Sequence, residues 1–224
     1  MEKTKFHVNL STYRYEFLLI ALLLLIFDKI FFPDNDFYIK YVWFFNMLVI
    51  AIASYGIFSG HNKIVLFLRN IMGLISIAMP FLFLALNSNE SFLMFLTVFF
   101  TLYYSYIFGV VMYQISLTKE VKLNILIGSF CGYLLLSMVA LFSYLFLEIL
   151  NSKSFHGIDY NNLPVVYNQL SYFSFITLTS IGFGDIYPIT DTSRLTVAFF
   201  GMAGQFYMVA VVGIIISKFT TAGD

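Results

Sequence analysis

Apolar runs of about twenty residues recur along the chain, at 16–32, 37–58, 64–86, 92–117, 123–149 and 194–218, with short polar breaks such as DKIFFPDND, NSNES and SLTKEVK between them. Such lengths suit helices crossing a hydrocarbon core of roughly 30 Å. A water-soluble domain has no use for this much apolar surface: 60% of the 224 residues are hydrophobic and only 11% charged. The pattern predicts an all-α membrane protein with six transmembrane helices embedded in a lipid bilayer. The formal net charge is zero, which excludes the basic field that nucleic acid requires. The single cysteine, Cys131, rules out a disulfide framework. The first run follows a polar stretch and precedes further spans, so it reads as a membrane helix and not as a removable signal peptide.

Charge distribution predicts orientation. With six crossings, Lys3, Lys5, Arg14, Lys63, Arg69, Lys119, Lys122 and Lys218 share one side, while Lys29, Lys40, Lys153 and Arg194 share the other. The positive-inside rule then places both termini in the cytoplasm of a plasma (inner) membrane and turns most of the acids outward. The fourth run carries no lysine or arginine between Ser91 and Thr118, so it lacks the mobile charges a voltage sensor needs. The neighbours Asp28 and Lys29, near a helix end, read as a pair snorkelling to the interface. Six residues follow Lys218, so no soluble ligand domain is expected after the last span.

Between the fifth and sixth runs the chain changes character. VVYNQLSYFSFITLTS is apolar but too short to cross and return as helix, and it leads into TLTSIGFGD at 177–185. This reads as a re-entrant helix and loop, and irregular backbone at membrane depth is tolerated only where protein buries it or where it lines a water-filled path. Glycine adopts left-handed conformations at no steric cost. Gly182 and Gly184 can therefore turn successive carbonyls to one side, leaving Ile181 and Phe183 to wedge the strand against its helix. Several such strands around one axis stack rings of oxygen that replace a cation's water, and the Ser180 hydroxyl can close the innermost ring. The partly negative C-terminal ends of the preceding helices favour a cation there.

TLTSIGFGD followed by IYP resembles the potassium-channel pore motif T-x-T-T-V-G-Y-G-D. FFGMAGQFYMVAVVGIIISKF, farther on, is similar to the inner helix of prokaryotic six-transmembrane members of that family. The resemblance implies a homotetramer whose selectivity filter is built from Thr179, Ser180, Ile181, Gly182, Phe183 and Gly184. Potassium would be held by Ser180, Ile181, Gly182 and Phe183. It puts Asp185 at the outer mouth, Tyr172, Phe173 and Ile176 in filter support, and Gly204 at a gating hinge. It divides the chain into a four-helix, sensor-like domain at 1–120 and a pore domain at 121–224. Ser180 replaces the usual threonine, Phe183 the usual tyrosine, and Ile176 a glutamate found in some bacterial members, so the filter's surroundings carry fewer hydrogen bonds. The implied function is passive potassium conduction without strong voltage gating, no enzymatic activity, and no cofactor beyond the permeant ion. The alternatives are a weakly selective Na+/K+ channel, and a transporter or sensory membrane protein that uses the loop structurally.

Overall fold

A computed structural model of the chain describes residues 13–58, 62–86, 89–118, 123–160 and 162–213. Helix α1 spans Arg14–Phe27 and tightens into a 3-10 turn at Asp28–Ile30. Helix α2 covers Asn35–Ile57 with a π-helical stretch at Tyr38–Val42. Next come α3 (Lys63–Leu86), α4 (Glu90–Leu117) and α5 (Leu123–Leu150). A two-residue strand β1 (Phe155–His156), helix α6 (Leu163–Leu178), strand β2 (Tyr187–Pro188) and helix α7 (Asp191–Phe206) complete the order, and α7 runs into a π-helical stretch at Tyr207–Val212.

Several helices begin where a side chain supplies the acceptor that the first turn lacks. Asp34 accepts from the amides of Asp36 and Phe37, Asn89 from Phe92, Asn162 from Val165 and Thr190 from Ser193. Pro164, in the first turn of α6, has no amide hydrogen to leave unsatisfied.

Among the described residues four helices, α2 to α5, are long and apolar enough to cross a membrane. The architecture is therefore an all-α multi-pass membrane protein with four such helices, and the expectation of six plus a re-entrant pore helix and filter loop is corrected. The run at 16–32 yields 14 residues of α-helix, about 21 Å, before the backbone leaves the helical path beyond Phe31. The run at 194–218 belongs to α7, which opens on the polar turn Asp191–Arg194 and ends as α-helix at Phe206, and residues 214–218 lie outside the described residues. Helix α6, at 16 residues, is likewise shorter than a crossing.

Helix α5 is the pivot. Of its most apolar window, 78% is buried within the chain, against 28–44% for α2, α3 and α4, so those three present far more surface to lipid. Helix α4 lies along α5 through an aromatic stripe. Phe100 and Tyr104 stack on Phe142 with ring centroids 5.0 and 5.6 Å away, and Phe99 and Tyr103 flank them. Each such pair contributes about 0.5–1.5 kcal/mol beyond its buried area. Helix α1 crosses α5 where Gly128 leaves room for the Tyr15 ring, and the Tyr15 hydroxyl donates to Gln114 Oε1 at 3.0 Å.

The Asp28–Lys29 pair does not snorkel. Asp28 is only 5% exposed and accepts a hydrogen bond from Asn46 Nδ2, while Lys29 turns to Asn35 Oδ1 at 2.7 Å and to the Tyr38 ring. The acid is bound inside the bundle because Asn46, an amide in the middle of α2, needs a partner away from water.

Candidate functional site

The segment from Thr179 to Pro188 is positioned from three directions. Below it, Phe173 of α6 is buried against Tyr144 of α5 and Phe155 of β1, and Tyr144 also packs edge-on against Phe200 of α7. These four rings set the relative positions of α5, α6 and α7. On the other side, β1 pairs antiparallel with β2, matching Phe155 with Pro188 and His156 with Tyr187, and the His156 and Tyr187 rings stack at 4.6 Å. The amide of Ile189 and the buried Ser193 hydroxyl both donate to the Ser154 carbonyl, at 2.8 and 2.9 Å.

Glu148, near the C-terminal end of α5, organises the loop that carries β1. It is 6% exposed, and its two carboxylate oxygens accept from the amides of Lys153 at 2.5 Å and Phe155 at 3.2 Å. Tyr160 folds over the same loop, donating to the Phe155 carbonyl at 3.0 Å. Burial, with the Glu148 carboxylate beside it, pushes its phenol up to about 12.

The segment's own backbone alternates. Ser180, Gly182 and Gly184 have φ of +59°, +53° and +79°, and Ile181 and Phe183 between them do not enter the left-handed region. The amides of Ile181 and Gly182 both turn back to the Ile176 carbonyl, at 2.9 and 3.1 Å, and the Ser180 amide donates to the Thr177 carbonyl at 3.1 Å. Among the described residues no donor reaches the carbonyls of Thr179 through Gly184. Donors are thus tied inward while a run of acceptors is left unpaired.

Each expected site residue has a definite place. Ile176 is buried and supports the segment through its backbone carbonyl, with no side-chain bond involved. Tyr172 directs its phenol at the Asp185 carboxylate. Thr179 caps α6, its hydroxyl donating to the Phe175 carbonyl at 2.7 Å. Ile181 and Phe183 are 56% and 71% exposed in the single chain, so they do not wedge against their own helix. Gly204 lies in uninterrupted helix, and a Cβ there would stand 2.9 Å from the Leu178 carbonyl oxygen, so this glycine permits close approach of α7 to the end of α6.

Four features escaped the sequence reading. Ser180 shares the left-handed geometry although it is not glycine. Glu148 was visible only as an acid at the end of an apolar run. Gly157, at φ +83°, lets the loop touch the Asp185 carbonyl. Gln205, a lone amide in an apolar helix, donates from Nε2 to the Ser180 hydroxyl.

Residues 121–221, which take in α5, α6, the alternating segment and α7, match a protein family described as "Ion channel". No curated protein and no solved structure matches the chain. The chain is a multi-pass membrane protein that is similar to that ion-channel family over this stretch. With four long apolar helices among the described residues in place of six, the closer identification with six-transmembrane tetrameric potassium channels is withdrawn.

Proposed function

We propose that the protein is a passive cation channel selective for potassium, and that the backbone carbonyls of Ser180, Ile181, Gly182 and Phe183 replace the water around the ion. The observation that carries this reading is the alternation of left-handed residues at 180, 182 and 184 beside carbonyls that no donor among the described residues reaches. An extended strand points alternate carbonyls to opposite sides, and alternating the hand of the backbone brings them to one side. Oxygen rings of this kind select by the number and field of the ligands they present.

One chain supplies one such strand, so a closed ring takes several copies, and we assign four. The exposure of Ile181 and Phe183 supports this, because side chains of that size need cover from a neighbouring subunit. The segment 121–224 acts as the conducting unit and 1–120 as a companion domain. Asp185 stands at the outer mouth, beside Tyr172. In this arrangement the breaks bearing Lys63, Lys119 and Lys122 face the cytoplasm of a plasma membrane, and the loop at 151–160 faces outward. Lys119 and Lys122 lie outside the described residues.

The test is current recorded from purified protein in planar bilayers, with potassium on one side and sodium on the other. A reversal potential close to the potassium equilibrium value, with block by barium, is expected. A reversal potential near zero identifies a weakly selective cation channel, and saturable uptake without unitary currents identifies a transporter.

A further inference from the structure

We infer that Gln205 is a positioning residue for cation binding: it fixes the Ser180 hydroxyl as an oxygen ligand at the inner end of the conducting segment. The inference rests on the reading of 180–183 as the ion's ligands and adds to it a residue from a different element.

The register of two helices brings the pair together. Helix α7 approaches the last turn of α6 at Gly204, where the absence of a side chain lets it meet the backbone of Leu178. Gln205 is the next residue on α7, and Ser180 is two residues beyond Leu178. The close approach therefore delivers the Gln205 amide to the Ser180 hydroxyl, and Nε2 donates to Oγ.

A serine hydroxyl left alone swings among three rotamers and offers a cation its oxygen only part of the time. Ser180 also occupies a left-handed backbone conformation, which is strained for a non-glycine residue. The donated hydrogen bond uses one lone pair of Oγ and fixes its direction, leaving the other lone pair for a cation. Serine lacks the methyl group by which threonine could pack to hold the rotamer. The amide therefore supplies from α7 the order that the smaller side chain lacks. Because the bond joins α7 to the start of the segment, a movement of α7 changes cation affinity at its inner end.

The test uses barium, a divalent ion of nearly potassium's size that binds oxygen rings more tightly. Barium binding to the purified full-length protein is measured by titration calorimetry, and barium block is measured in bilayers. The variants are Gln205→Leu, Gln205→Glu, Ser180→Ala and the Gln205→Leu/Ser180→Ala pair. Gln205→Leu is expected to weaken barium about fivefold, the usual worth of one hydrogen bond. Gln205→Glu, which accepts from the hydroxyl and adds negative charge, is expected to bind at least as tightly as the wild type. The double variant is expected to be no weaker than Ser180→Ala alone, because the amide acts through the hydroxyl. Unchanged affinity in Gln205→Leu, or losses that add in the double variant, overturns the inference while leaving a wild-type current intact. A wild-type protein that neither conducts nor binds barium overturns this inference and the proposed function together.

Discussion

Gly157 lies against the backbone carbonyl of Asp185, in a left-handed conformation that leaves no room for a Cβ atom. The contact fastens the loop after α5 to the end of the alternating segment, next to the β1–β2 pairing. Gly157→Ala introduces both backbone strain and overlap with a carbonyl that cannot rotate away. A loss of about 3 kcal/mol is expected, combining a left-handed penalty with overpacking. Thermal unfolding in detergent checks this, with Gly109→Ala as the control because a Cβ at 109 meets nothing within 4 Å. Equal stability of the two variants would show that the loop yields without cost.

Glu148 holds that loop from the other end. Its carboxylate accepts from two amides, and Tyr160 lies beside it. A glutamine in its place would offer one acceptor oxygen and turn an NH2 group toward backbone N–H donors. Glu148→Gln is expected to lower stability by about 1–3 kcal/mol, the cost of leaving a buried donor unsatisfied. Amide hydrogen exchange at Lys153 and Phe155 should accelerate accordingly. Protection equal to wild type would show that the carboxylate is not what orders the loop.

The apolar runs made the long helices legible, because hydropathy responds directly to burial in lipid and core. The same signal overstated the run at 16–32: composition cannot register that the helix tightens at Asp28 to bring a carboxylate to Asn46. The glycines at 182 and 184 announced the unusual backbone, since few other residues tolerate it. Ser180 did not, because its conformation is imposed by the amide–carbonyl bonds around Ile176 and by Gln205 on α7. Contacts between residues 25 or more apart, such as Gln205 with Ser180 and Gly157 with Asp185, leave only a lone polar or small residue as their trace in sequence.

Voltage dependence follows from α4. Its buried face carries Phe99, Phe100, Tyr103 and Tyr104 packed toward α5, with no lysine or arginine between Ser91 and Thr118. Moving one elementary charge through 100 mV contributes about 2.3 kcal/mol, and α4 has no cation to move. Arg69 on α3 is buried over the Tyr55 ring at 4.2 Å. Open probability should therefore vary by less than about threefold across 20 mV in bilayer recordings. A tenfold change over that interval would require a charge that moves elsewhere in the chain.

Gly204 separates two roles for a glycine in α7. As a hinge it would bend the helix, and Gly204→Ala would change opening while leaving the resting structure as stable as before. As a packing contact it lets α7 meet Leu178, and the added methyl would stand 2.9 Å from a backbone oxygen and 3.1 Å from Cα. The helix runs unbroken through Gly204 to Phe206, and the change to π-helical geometry begins only at Tyr207. The packing role predicts a loss of about 1–3 kcal/mol for Gly204→Ala, as for other overpacked contacts. It also predicts weaker barium binding, because displacing α7 draws the Gln205 amide away from the Ser180 hydroxyl. Thermal unfolding and barium calorimetry on the same preparation check both. A variant with wild-type stability and wild-type barium affinity, but altered opening, would return the hinge role to this residue.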